Sequence, residues 1–152
     1  GTKFDHGCVA RRISEICPLV QVGTRSIAPE DIGYARQKGI AIFYASEIAK
    51  SSSNSWMEDA VSNLSDDVYV TIDVDALDTS IMPSVGTPEP GGLQWYQLLE
   101  LLKKIGENKN VLGFDVVELC PLPGNVAPDF AAAKLVKKFI AYSFSSLSDK
   151  FK

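Results

Sequence analysis

The sequence predicts an α/β fold in which a parallel sheet is covered by helices on both faces. Three observations carry this. Four short apolar runs, residues 19–22, 40–43, 68–73 and 111–117, are β-branched or aromatic and bounded by Gly, Pro, Asp or Asn, as strands are. Helical stretches alternate with them, the pattern that builds parallel sheets. No linker divides the 152 residues, so residues 1–152 read as one domain long enough to bury a real core.

The elements follow in order. Residues 6–16 form a first helix and lead to the first strand at 19–22. A helix over 31–38 has Ala28-Pro29-Glu30 as its cap region and Gly39 as its stop. The strand at 40–43 is followed by a polar serine- and asparagine-rich linker, 51–55, and a helix over 56–64. The third strand ends at Asp73. An amphipathic helix over 93–105 ends at Gly106, and the fourth strand runs to Val117. The last helix starts near Pro128. Its Phe130, Ala133, Val136, Ile140 and Phe144 recur at three- and four-residue steps, which predicts one buried stripe. Lys134, Lys137 and Lys138 fall largely off it and read as a solvated face.

Composition narrows the function. Fifteen lysines and arginines against 19 aspartates and glutamates leave a net charge of −4, the wrong sign for a nucleic-acid binder. No apolar run approaches the ~20 residues of a membrane span, and no signal peptide opens the chain. A single histidine excludes any metal site that needs two imidazoles from this chain. Cys8, Cys17 and Cys120 form an odd, widely spaced set with no Cys-x-x-Cys pair, which points to a reducing, cytoplasmic setting.

Parallel sheets bind ligands beyond the carboxyl ends of their strands, so chemistry belongs in the loops after Val22, Phe43, Asp73 and Val117. In Val70-Thr71-Ile72-Asp73-Val74-Asp75-Ala76-Leu77-Asp78 a strand ends in two aspartates spaced two apart. In extended backbone both point to one face, where like charges repel unless a cation lies between them; hard ions such as Mn²⁺ or Mg²⁺ suit those oxygens. The plainer alternative is that both cap the strand and its turn. Residues 84–93, Ser-Val-Gly-Thr-Pro-Glu-Pro-Gly-Gly-Leu, make a rigid loop of the kind that shapes a substrate pocket, or a plain connection. In Gly113-Phe114-Asp115-Val116-Val117-Glu118, Glu118 closes a strand where a carboxylate can bind a cationic group or serve only as a bonded strand end; Asp115 points to the other side and reads as structural. In Asp5-His6-Gly7-Cys8, His6 is either a proton carrier or an exposed residue at a helix start.

In this order, these pieces resemble the ureohydrolase family of arginases, agmatinases and relatives. The resemblance covers nearly all of the chain and implies that it is the C-terminal half of such an enzyme. Residues 72–78 resemble the family's second aspartate motif, 86–93 its substrate loop, 113–118 its late strand, and His6-Gly7 its mobile-proton histidine. It implies a three-layer α/β/α fold with a mainly parallel sheet, and two Mn²⁺ ions sharing a bridging hydroxide. It implies that Asp73 bridges both ions and Asp75 binds one. His6 would move protons or orient substrate, Glu118 would hold the guanidinium and Thr87 would line the pocket. The products would be urea and an amine. Pro88-Glu89-Pro90 and the context of His6 are more similar to agmatinase than to arginase, so agmatine and putrescine are the expected substrate and product. Arginase, guanidinobutyrase and formimidoylglutamase activities stay open. The family also implies a trimer or hexamer of identical chains.

One departure matters. The family's first histidine ligand and its Asp-x-His-x-Asp motif have no counterpart here, because His6 is the only histidine. Two of six metal ligands are present, so the expectation is that this chain alone is inactive or nearly so, with an open sheet edge prone to pairing. Two other classes compete. Asp73-Val74-Asp75 is similar to the nucleophile motif of haloacid-dehalogenase-type phosphatases, although that motif opens its domain and the only Asp-Asp pair here, Asp66-Asp67, lies upstream. A non-catalytic remnant or subunit would also fit the missing ligands.

Overall fold

The computed structural model describes residues 4–150, with side chains described through residue 144. Its strands are β1 (Val20–Thr24), β2 (Ala41–Tyr44), β3 (Asp67–Asp73) and β4 (Asn110–Val117). Its helices are α1 (Val9–Ser14), α2 (Pro29–Lys38), α3 (Ala45–Lys50), α4 (Ser55–Ser62), α5 (Trp95–Asn108) and α6 (Ala127–Lys150). All four expected strands form. The first helix is shorter than expected, because residues 6–8 wind into a 3-10 turn before α1. The short α3 went unread; it follows β2 directly, with no capping side chain to mark it.

Both pairings are parallel, but the strands do not make one sheet. β1 pairs with β2 and β3 pairs with β4 as two separate ladders. At the end of β1, Gly23 turns at φ 86°, and a Cβ on it would lie 3.3 Å from Leu93. What meets the end of β1 is thus the loop region after β3 rather than β3 itself. One face of β3 is open within the described residues of this chain. Val68 and Ile72 of β3 are buried and Val70 half-buried, whereas Tyr69, Thr71 and Asp73 are exposed on the opposite face. That face is laced by hydrogen bonds to Asp115, from Tyr69 Oη at 3.0 Å and Thr71 Oγ1 at 2.6 Å, which bears out Asp115 as structural.

The core lies between β3–β4 and the helices α4, α5 and α6, around Met57, Val74, Leu77, Met82, Leu93, Leu102, Leu135 and Phe139. The rings of Phe114 and Phe139 meet edge to face at 5.0 Å. α5 begins at Trp95 behind a capping box of Gln94 and Gln97, and Leu93 lies outside it in a bridge to Leu77. Gly106 does not end α5. It lies inside the helix, where a Cβ would come within 2.8 Å of the backbone of Tyr142. A glycine there lets α6 approach α5 backbone to backbone.

That approach also selects the face of α6. Pro128, Ala132, Leu135 and Phe139 are the buried residues, not the expected stripe. Phe130 and Phe144 are 72% and 60% exposed, Ala133 and Ile140 are also exposed, and Val136 is half-buried. α6 carries apolar residues on more than one face, so spacing alone does not distinguish them. Lys134 and Lys137 are exposed as expected, and the half-buried Lys138 reaches over the Tyr142 ring at 5.8 Å.

Candidate metal and substrate site

The candidate site gathers at the carboxyl end of β3. Extended backbone was expected to aim Asp73 and Asp75 the same way. Instead β3 stops at Asp73, and Val74–Ala76 wind into a 3-10 turn. Asp73 caps that turn, its Oδ1 accepting from the Asp75 amide at 2.9 Å. The local reason is chemical. An aspartate before a tight turn can bond the amide two residues on, and Val74 is wholly buried, which pins the turn. The two carboxylates are near neighbours by this turn rather than by strand alternation. Although Asp73 is exposed as a residue, the turn and loop around its carboxylate partly desolvate it and push the carboxyl above its ordinary value, and the charges of Asp75 and Glu118 push it further, against the turn bond and the charge of Arg25.

Asp75 has two differently placed oxygens. Oδ2 accepts a 2.7 Å bond from Thr87 Oγ1. Oδ1 is buried and has no hydrogen-bond partner. A buried, unpaired carboxylate oxygen is costly, and a hard cation is the partner that would relieve it. Together with the charge convergence on Asp73, this donor set fits part of a Mn²⁺ site. It is not a whole one: among the described residues no cluster of three or more His, Cys, Asp or Glu side chains could hold a metal ion.

Glu118 follows β4 with a left-handed backbone, φ 67°, which no other non-glycine among the described residues adopts. Such a conformation costs a β-carbon residue about 1 kcal/mol or more, and it turns the carboxylate toward the site. A Cβ added at Gly86 would lie 3.8 Å from Glu118 Oε2. The loop 84–93 therefore lies over both acidic segments and is stitched at each end. At its start, Val85 bridges Leu119, and the Cys120 amide bonds the Ser84 carbonyl at 2.8 Å. At its end, the Leu93 amide bonds the Ala76 carbonyl at 2.8 Å. There Gly92 passes so close that a Cβ would stand 2.5 Å from the Leu77 carbonyl carbon.

Asp78 secures that end. Its Oδ2 accepts from the Gly91 and Gly92 amides at 2.8 and 3.2 Å, and its Oδ1 accepts from the Ser80 hydroxyl and amide at 2.6 and 3.0 Å. The Ser80 hydroxyl, then the Ser80 and Gly91 amides, hold its carboxyl well below the ordinary 3.8, at about 2. A depressed acid stabilises the fold above its unfolded value and loses that contribution as pH falls through the folded one. The expected outcome is a thermal stability that declines between about pH 4 and pH 2, and Asp78→Asn removes part of that decline. Near pH 7 the variant costs about 1 kcal/mol, or about 2–4 °C in Tm, because these bonds are solvent-screened. Melting curves of wild type and variant from pH 2 to 7 check this; two parallel profiles would refute it.

His6 lies apart from these groups. It sits on the exposed 3-10 turn, with Nδ1 3.1 Å from Asp5 Oδ1 and a side chain 88% exposed. None of its bonds reaches Asp73, Asp75, Thr87 or Glu118. Of the sequence-derived residues, the structure thus gathers four and leaves His6 outside. Arg25 went unread. It follows β1 directly and donates to backbone carbonyls of the aspartate turn and the substrate loop.

The comparisons with known proteins decide the family. The arginase family profile matches residues 1–141. The chain belongs to the arginase family. It is 38% identical over 144 residues to an N(1)-aminopropylagmatine ureohydrolase of Synechocystis, covering 93% of this chain and 46% of that protein. It is also 38% identical to an agmatinase of Pyrococcus horikoshii, covering 94% and 50%. An agmatine ureohydrolase structure from Thermoplasma volcanium superposes with a TM-score of 0.86 at 29% identity, over 98% of this chain and 51% of that one. A Bacillus caldovelox arginase gives 0.71 at 27%, over 82% and 42%. This arginase-family chain therefore has the α/β fold of those enzymes and spans about half their length. No helix among its described residues is long and apolar enough to cross a membrane. The match of the arginase family over residues 1–141 takes the place of the phosphatase alternative.

Proposed function

We propose that residues 1–152 form the C-terminal portion of a single ureohydrolase domain that hydrolyses a linear guanidino compound to urea and an amine, with Mn²⁺ as cofactor. Agmatine, giving putrescine, is the foremost substrate. An aminopropylated agmatine, named for the Synechocystis relative, presents the same guanidinium. The observation that carries the proposal is the buried, unpartnered Asp75 Oδ1 beside Asp73, Thr87 and Glu118.

Asp73 and Asp75 would hold the metal, which supplies a water whose pKa is lowered toward about 7 and which is therefore nucleophilic near neutral pH. Thr87 fixes one Asp75 oxygen by its hydroxyl and leaves the other free to ligate. Glu118 binds the guanidinium through charge-assisted hydrogen bonds. His6, on the exposed turn beside Asp5, would carry protons between solvent and the leaving amine only where that turn closes on the four gathered residues. The enzyme works as a homo-oligomer, a trimer or hexamer, in the cytoplasm, where a reducing setting suits its odd, widely spaced set of three cysteines.

Two carboxylates complete no dinuclear centre. The expected result of a urea-release assay with added Mn²⁺ is therefore little or no turnover by the 152-residue chain. Mixing with a polypeptide that carries the family's Asp-x-His-x-Asp motif restores it. Robust turnover by the chain alone would overturn the ligand count, and no recovery on mixing would favour a non-catalytic subunit.

A further inference from the structure

The segment after β1 holds a group that no motif marks. Arg25 is half-buried and immediately follows β1. Its Nη2 donates to the carbonyl of Asp75, and its Nη1 donates to the carbonyls of Glu89 and, at 3.5 Å, Leu77. Asp75 and Leu77 belong to the aspartate turn and Glu89 to the substrate loop. Next to it, the Ser26 hydroxyl reaches both Glu89 carboxylate oxygens at 3.1 and 3.0 Å. Three backbone dipoles from two loops thus converge on one planar cation, a geometry suited to a guanidinium and not to an ammonium.

We propose that Arg25 is a positioning residue whose guanidinium clamps the substrate loop to the aspartate turn, setting Thr87 against Asp75 and Asp75 toward its ligand. The clamp explains how the middle of the loop keeps its path without buried side chains: Thr87, Pro88 and Pro90 are all exposed. Contacts at three places then fix the loop, the Val85–Leu119 bridge, the Asp78 bonds to Gly91 and Gly92, and Arg25 on Glu89 between them. Its effect on turnover rests on the ureohydrolase reading, whereas the clamp does not.

Amide hydrogen exchange of the 152-residue chain tests the clamp directly. Arg25→Met and Arg25→Lys are both expected to lose about tenfold or more protection at Asp75, Gly91, Gly92 and Leu93, while the amides of α5 and the β3–β4 ladder keep theirs. Wild-type protection in Arg25→Lys would overturn the proposal, because a charge alone would then suffice. So would unchanged loop exchange in Arg25→Met, or loss throughout the chain in both variants, which marks a general stabilising role. If Arg25→Met alone unfolds, Arg25→Lys decides. In an active ureohydrolase containing this chain, saturating Mn²⁺ leaves Arg25→Lys with a KM raised about tenfold and kcat changed less; an unchanged KM overturns the link to substrate. If no guanidino compound is hydrolysed even by wild type, the functional reading fails while the exchange result still judges the clamp.

Discussion

Asp75→Ala, in the ureohydrolase that contains this chain, is expected to lose one Mn²⁺ per active site and at least about 100-fold in activity. Its Oδ1 is a buried acceptor with no protein partner, so removing it deletes the proposed ligand. Thr87 loses its acceptor at the same time, which loosens the substrate loop. Metal analysis of the purified protein, with urea release at saturating Mn²⁺, checks this; two bound ions and full activity would contradict the ligand assignment. A companion measurement separates metal chemistry from stability. Partial desolvation first, then neighbouring charge, raises the Asp73 carboxyl above its ordinary value. For an acid, that sign means the ionised form strains the metal-free fold at neutral pH, and the strain is relieved as pH falls through the folded value. Asp73→Asn keeps a carbonyl oxygen for the Asp75 amide, so it raises the Tm of the metal-free chain and abolishes the further rise that Mn²⁺ gives the wild type. At 100 times its dissociation constant, that rise corresponds to about 2.7 kcal/mol.

Glu118→Gln is expected to be nearly as damaging but to act on the substrate. Removing the charge from a guanidinium contact costs about 1.5–3 kcal/mol, or about 10–150-fold in kcat/KM. The left-handed backbone at this position remains after the change, so the loop path and the bridge between Val85 and Leu119 persist. The loss is therefore expected mainly in KM, with metal content unchanged. Steady-state kinetics with agmatine, beside metal analysis, decide this; unchanged kinetics would remove Glu118 from the site.

Much of this was legible in the residues themselves. Val70-Thr71-Ile72-Asp73 announces a strand with an acidic end, and the proline- and glycine-rich run 84–93 announces a shaped loop; both lie where expected. What failed was geometry that depends on distant partners. Strand alternation gave the wrong reason for the meeting of Asp73 and Asp75, because the buried Val74 pulls the chain into a turn. Gly106 reads as a helix stop until α6 is present to lie against it. The two parallel pairs read as one sheet, because spacing along the chain says nothing of which strand lies beside which. Arg25 had one faint signal, its place at the carboxyl end of β1. Its acceptors lie 50 to 64 residues away, and no local pattern reveals backbone carbonyls at that range.

The outward side of α6 has a practical consequence at the bench. Phe130, Ile140 and Phe144 face water there, while the open side of β3 is screened by the hydroxyls that Tyr69 and Thr71 point at Asp115. Clumping on concentration will start from the helix rather than the ladder. Polar replacements at those three positions are the first remedy for an insoluble preparation, and they leave every acidic group of the proposed centre untouched.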